Sequence, residues 1–127
     1  RTRQRIADLE LDNPQSTIHN LQFLDPLGYL EFLALQAHAA LVLTDSGGIQ
    51  EETTYLGIPC LTARPNTERP VTVTQGTNKI VGCDQKSVAN EALKAIKGID
   101  RSIEVPNLWD GCSSQRLIQE MRNGKGV

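Results

Sequence analysis

The chain has 127 residues, 39% hydrophobic and 22% charged, and 13 basic against 15 acidic side chains give a formal charge of -2. Such a chain buries roughly two-thirds of its unfolded surface in an ordinary core, which excludes disorder and a collagen-like repeat. The acidic balance leaves no global positive field for a nucleic-acid backbone or an anionic membrane, and no apolar run approaches the roughly 20 residues of a membrane span, so the expected setting is cytoplasmic and any anion must be bound locally.

The chain begins at Arg1 and its only methionine is Met121, which reads as a processed or cut product. Residues 2–11 pattern as the end of an amphipathic helix, with Ile6 and Leu9 on one side. A strand is expected within 17–24, stopped by Asp25-Pro26 and followed by a helix over 28–37. Residues 39–44 lack polar alternation and predict a strand covered on both faces. Asp45-Ser46-Gly47-Gly48 then turns sharply into a helix over 49–56, closed by Gly57 and Pro59. Further on come a strand over 58–63, a polar loop over 64–70, a helical turn over 71–75, a strand over 78–81 and a helix over 86–97. An aperiodic stretch over 98–106 precedes a last amphipathic helix over 113–121, anchored by Leu117 and Ile118. Short apolar strands alternating with helices predict an α/β fold, a Rossmann-like parallel sheet flanked by helices. With aromatics at 4%, its core falls to Leu, Ile, Val and Ala.

Cys60, Cys83 and Cys112 are odd in number and widely spaced, so free thiols are expected. Neither His19 nor His38 stands at helical spacing from another ligand type, and no metal site is expected.

The chemistry gathers at the turn over 44–48. A strand running into a helix aims unpaired backbone N–H groups and the positive end of the helix dipole at one spot, which suits an anion. Gly47 and Gly48 let a phosphate approach the backbone without interference from Cβ, and the Ser46 hydroxyl adds a donor. The pattern is neither GxGxxG nor a Walker A loop, and Asp45 or Ser46 as an ordinary N-cap fits it equally well.

Glu51 and Glu52 follow in the first turn, where the dipole stabilises carboxylates. A carboxylate repels a diphosphate, so the functional reading is an acceptor for the hydroxyls of a ribose beyond the phosphates. Neighbouring helical residues stand about 100° apart, so one of the pair should face a ligand, and spacing from Gly48 favours Glu52.

The loop over 64–70 leaves the C-terminal end of the next strand, the edge where α/β sheets bind ligands. Arg64 and Arg69 suit phosphate there, with Glu68 as a holder for Arg69; surface ion pairing is the alternative. Tyr29 and Phe32, early in the preceding helix, are placed to pack on a base, although core packing also suits Phe32.

Thr44 to Glu52, read as Thr-Asp-Ser-Gly-Gly-Ile-Gln-Glu-Glu, and Asn66 to Pro70, with Gly76-Thr77-Asn78 behind, resemble the non-hydrolysing UDP-N-acetylglucosamine 2-epimerase family. The resemblance extends to Leu108-Trp109-Asp110-Gly111 and back to Arg1-Thr2-Arg3. The His-Pro pair that usually precedes the last of these is absent, Leu27 replaces a frequent Gln, and Cys112 and Ser113 replace a common Lys-Ala. The resemblance implies a two-domain GT-B protein with UDP in the cleft between Rossmann-like domains. Residues 1–127 would then be an incomplete C-terminal UDP-binding domain lacking its first strands.

Carried over by motif, Ser46, Gly47 and Gly48 would hold the diphosphate, Glu52 the ribose hydroxyls and Arg69 a phosphate, with Phe32 beside the uridine. The implied reaction interconverts UDP-N-acetylglucosamine and UDP-N-acetylmannosamine, without metal or other cofactor, by eliminating UDP to a 2-acetamidoglucal and adding it back. The family's carboxylates around the hexose come mainly from the N-terminal domain, so no catalytic residue is assigned in this chain. The fragment alone is expected to be inactive and the full-length enzyme a homodimer. The rival readings are a GT-B glycosyltransferase and a non-catalytic UDP-sugar-binding domain. In the usual doubly wound order, 3-2-1-4-5-6, the strands expected near 17–24 and 39–44 would pair directly or leave edges covered by another copy.

Overall fold

Three short parallel strands, β1 (Val42–Thr44), β2 (Cys60–Thr62) and β3 (Asn78–Ile80), lie side by side in chain order. They belong to a computed structural model that describes Gln4, Asp8 and residues 22–98 and 105–124. The helices are α1 (Tyr29–Ala37), α2 (Gly47–Leu56), α3 (Pro70–Thr74), α4 (Gln85–Lys97) and α5 (Ser113–Arg122). The α/β alternation expected from the sequence is observed, with the first turn of α2 reaching back to include Gly47 and Gly48.

Local chemistry sets these boundaries. The Gly28 N–H donates to the Glu31 carboxylate (2.9 Å) at the start of α1, and α2 ends at Gly57, whose φ of 68° is a left-handed conformation that glycine adopts without Cβ strain. Pro70 opens α3, where a missing N–H costs nothing. Asp84 caps α4 by accepting from the Ser87 N–H (2.9 Å), and Lys94 and Lys97 occupy the last turn, where the dipole favours cations. The bonds to Ser87 hold the Asp84 carboxyl below its ordinary pKa.

Register fixes the two faces of the sheet. Val42, Cys60 and Asn78 stand in one row and Leu43, Leu61 and Lys79 in the next, so alternate residues point to opposite sides. The face bearing Asn78 meets α2 through Gln50, and the opposite face meets α4 through an ion pair between Lys79 and Glu91. Helices therefore flank both sides, as a parallel sheet requires. All the strands deliver their C-terminal ends, and the loops that follow, to one edge.

Three expectations need correction. The stretch over 39–44 contributes strand only at Val42–Thr44, and Leu43 is 54% exposed: β1 is an edge strand of the described sheet, and α4 packs on β2 rather than over it. The buried centre is not chiefly aliphatic. Ile58, Cys60 and Leu61 are buried, but so are Gln36, Gln50, Thr53, Thr54, Thr62, Thr72 and Asn78; of these Thr53 bonds the Ile49 carbonyl, Thr62 the Asn78 amide oxygen, and Thr72 accepts from Asn78 Nδ2 inside the fold. Residues 22–24 form no strand. The rest of the strand expected within 17–24, and with it the pairing foreseen for the sheet edge, lies outside the described residues. The helix read over 2–11 lies outside them too, except for Gln4 and Asp8, which are helical and joined by a 3.1 Å hydrogen bond. The cysteines are free thiols, and burial pushes Cys60 above its ordinary pKa.

Candidate functional site

At the C-terminal edge of the sheet, Thr44 leads into the first turn of α2 and Thr62 into the loop over 64–70. The two segments are joined by the Ala63 N–H bonded to the Thr44 carbonyl (2.8 Å). Ser46 is the N-cap of α2 by position, but its hydroxyl makes no capping bond; its N–H instead donates to Thr44 Oγ1 (3.0 Å). Among the described residues the helix thus opens with no side-chain cap on its first N–H groups, which suits its positive end to an anion. Both glycines leave room above the backbone: a Cβ on Gly47 would come no closer than 4.0 Å to Arg69 Cγ, and one on Gly48 no closer than 4.0 Å to Ser46 Oγ.

That spacing also locates Arg69 beside the helix opening. The structure changes its expected partner: Glu68 pairs with Arg64 (3.3 Å), whereas Arg69 Nε lies 2.7 Å from Glu51 Oε1. This contact is an ion pair with the N–H not aligned on the carboxylate. Arg69 also reaches the Glu68 carbonyl through Nη1 (3.4 Å). A half-exposed guanidinium, a glycine backbone and an uncapped helix end therefore converge.

The two carboxylates of α2 diverge in their partners. Glu52 accepts from Gln36 Nε2 (2.7 Å), a buried amide on α1 that fixes the orientation of the carboxylate. Glu51 turns to Arg69. Both nevertheless line one cleft of about 490 Å³, with Tyr29 and Leu33 of α1, Tyr55 and Leu56 of α2, and Trp109. The cleft takes Glu51 and Glu52 from one turn of α2 and Tyr55 and Leu56 from the next, and the two carboxylates are set apart by their partners, Arg69 for Glu51 and Gln36 for Glu52. Its wall is largely aromatic and aliphatic with two carboxylates at the rim, the mixture that suits a flat apolar ring carrying hydroxyls. Tyr29 stands on this wall; Phe32, also exposed, does not.

A feature the sequence reading missed lies beneath. Gln50, fully buried in α2, accepts from Thr67 Oγ1 (2.5 Å) and from Asn78 Nδ2 (3.2 Å) through the same Oε1. Asn78 also reaches Thr72 Oγ1 (3.1 Å) and accepts from Thr62 Oγ1 (2.6 Å). Among the described residues no cluster of His, Cys, Asp and Glu suits a metal ion, and no helix is long and apolar enough to cross a membrane.

Comparison with known proteins places this arrangement among relatives. Residues 1–122 match the family model described as UDP-N-acetylglucosamine 2-epimerase. A UDP-N-acetylglucosamine 2-epimerase of Methanocaldococcus jannaschii is 39% identical over 98% of this chain, which covers 34% of that protein. The Escherichia coli K12 protein of the same name is 38% identical over 85% of this chain and 30% of its own length. Among solved structures, the M. jannaschii UDP-GlcNAc 2-epimerase in complex with UDP-GlcNAc and UDP superposes with a TM-score of 0.75 at 37% identity, covering 98% of this chain and 34% of that one. The Neisseria meningitidis UDP-GlcNAc 2-epimerase bound to UDP-GlcNAc gives 0.75 at 32% identity, over 95% and 33%. The chain therefore spans about a third of the length of these relatives.

Proposed function

The chain belongs to the UDP-N-acetylglucosamine 2-epimerase family, and from that premise we propose that it supplies the UDP-gripping domain of an enzyme that interconverts UDP-N-acetylglucosamine and UDP-N-acetylmannosamine. The observation that carries the proposal is the uncapped opening of α2, with Gly47 bare of side chain and Arg69 alongside. The N–H groups of the first turn and the Ser46 hydroxyl donate to the diphosphate while Arg69 neutralises it. Glu52, aimed by Gln36, accepts from the ribose hydroxyls. The cleft wall of Tyr29, Tyr55 and Trp109 takes the uracil side of the nucleotide, with Phe32 exposed one turn further along α1.

This half of the enzyme contributes leaving-group stabilisation. When the bond from the sugar C1 to the diphosphate breaks, negative charge grows on the phosphate oxygens, where fixed donors and a guanidinium lower its energy. The same grip retains UDP for re-addition to C1 of the 2-acetamidoglucal, whose planar C2 is inverted when a proton is delivered to its opposite face as UDP adds back. The domain, residues 1–127, works as the nucleotide-binding part of a homodimeric cytoplasmic protein whose hexose-facing carboxylates come from elsewhere. Relatives solved with UDP-GlcNAc support the UDP-sugar as substrate.

The test is UDP titration of the full-length protein by calorimetry. Arg69→Ala should weaken UDP by about 2 kcal/mol, the middle of the range for a hydrogen bond to a charged group, since Arg69 is partly screened by solvent. A loss below about 0.5 kcal/mol would remove Arg69 from the phosphate site. Sugar transfer to an acceptor without C2 inversion would replace the epimerase reading with that of a glycosyltransferase.

A further inference from the structure

Arg69 ends a polar loop, and loops of that kind hold a side chain loosely unless something ties the backbone. Here the tie is a closed ring of hydrogen bonds. The Arg69 N–H donates to Thr67 Oγ1 (3.0 Å). Thr67 passes its own hydroxyl proton to Gln50 Oε1 (2.5 Å), and the same oxygen accepts from Asn78 Nδ2 (3.2 Å). Asn78 Nδ2 also donates to Thr72 Oγ1 (3.1 Å), and Thr72 returns to the start by donating its hydroxyl (2.7 Å) and its N–H (3.0 Å) to the Arg69 carbonyl. Gln50 and Thr72 are fully buried and Asn78 is 5% exposed, so water does not compete for the bonds from Asn78 to Gln50 and Thr72, while those through Thr67 and to the Arg69 carbonyl are part-buried.

The ring has a definite sense. Gln50 enters it through its oxygen, which can only accept, while its Nε2 has no hydrogen-bond partner among the described residues. The Thr67 hydroxyl must therefore donate to Gln50, which leaves its lone pairs to the Arg69 N–H. The sheet, α2 and α3 all converge on both backbone groups of one residue, whereas among the described residues its guanidinium meets Glu51 and the Glu68 carbonyl.

We infer that Gln50, Thr67 and Asn78 are positioning residues that fix the Arg69 backbone so that its guanidinium meets the phosphate of a nucleoside diphosphate beside Gly47. The inference rests on the reading of Arg69 as a phosphate ligand. Thr67 is the most informative member, because Thr67→Val removes the hydroxyl with little change of shape and Thr67→Ser restores it.

The experiment is UDP titration of the full-length protein in a double-mutant cycle with Arg69→Ala, each variant first shown to melt cooperatively. Thr67→Val should raise the Kd for UDP about ten-fold by leaving the Arg69 N–H unpaired and its side chain misplaced, and Thr67→Ser should recover most of that loss. In the Arg69→Ala background, Thr67→Val should add almost nothing. An unchanged Kd for Thr67→Val overturns the inference, as does a Thr67→Val loss that is just as large without Arg69. If Arg69→Ala alone binds UDP like the parent, the phosphate role fails first and the positioning role with it. That result is distinct from an effective Arg69→Ala paired with a silent Thr67→Val.

Discussion

Two polar clusters in this molecule use similar chemistry in opposite settings. Around Arg69, a ring of neutral amides and hydroxyls is buried between α2, α3 and the sheet. Before α5, the Arg116 guanidinium clasps both oxygens of Asp110 (2.8 to 3.0 Å) and the Leu108 carbonyl (2.9 Å) in the open. That clasp steadies a sharp turn in which Leu108 has a φ of 70° and Gly111 a φ of 75°. The ring needs no charge, because its centre at Gln50, Thr72 and Asn78 is packed away from water. The exposed clasp uses full charges, which water and salt weaken. Shape therefore governs the first cluster and charge the second.

The largest effect expected from this contrast comes from disturbing the shape around the ring. Gly76 is packed so closely that a Cβ there would lie 2.5 to 2.6 Å from Thr54 side-chain atoms and 2.6 Å from the Thr72 carbonyl oxygen. The carbonyl belongs to the backbone of a ring member and cannot swing aside. Gly76→Ala should therefore destabilise the full-length protein by about 1–3 kcal/mol or more, through overpacking alone, in urea unfolding. Parent-like stability would mean that the ring region yields readily, and the contrast of buried shape with exposed charge would lose its main support.

A smaller effect is expected where the two kinds of chemistry meet, at the pair of Arg69 and Glu51. Both side chains are 42% exposed, so Glu51 offers a screened carboxylate that competes with an incoming diphosphate. If the ring already holds the Arg69 backbone, Glu51 is not needed for position, and Glu51→Gln should tighten UDP by about two- to five-fold, more at low salt than at high. Weaker binding by this variant in a salt series would show that Glu51 orients Arg69, so that charge governs this site after all.

Much of the first region was legible in the sequence, because each signal there is local. Gly57 and Pro59 announce the end of α2, and the run through Ser46, Gly47 and Gly48 the strand-to-helix turn. The long motifs carry the family. The partner of Arg69 was not legible, since Glu68 and Glu51 are equally plausible on charge and only the fold brings the more distant one close. Nor was the ring. Gln50, Thr53 and Thr54 recur at the i, i+3, i+4 spacing of a helix face that meets the core, yet their polarity reads as a solvent face; in the fold Gln50 finds Thr67 and Asn78 from 17 and 28 residues away, and Thr53 turns its hydroxyl back to the Ile49 carbonyl. Leu43 errs in the other direction: an apolar run reads as covered on both faces, and its position at the edge of the described sheet leaves it open.

The smallest effect belongs to the exposed clasp, and it separates charge from shape by pH. Bonding to Arg116 and to the Cys112 N–H lowers the Asp110 pKa from 3.8 to about 2. A carboxyl whose pKa is lower folded than unfolded binds fewer protons in the folded state. Its contribution to stability is therefore complete above the unfolded value and is lost as the pH falls from near 4 through about 2. Because the Asp110 side chain is exposed to solvent, the stability at stake is slight, and the titration itself is the better readout. Carboxyl-carbon NMR of the full-length protein should place the Asp110 midpoint near 2, and Arg116→Ala should return it toward the free carboxylate value of about 3.9. A midpoint that Arg116→Ala leaves in place would assign the low pKa to the backbone bond from Cys112. The turn before α5 would then be held by shape, as the ring is.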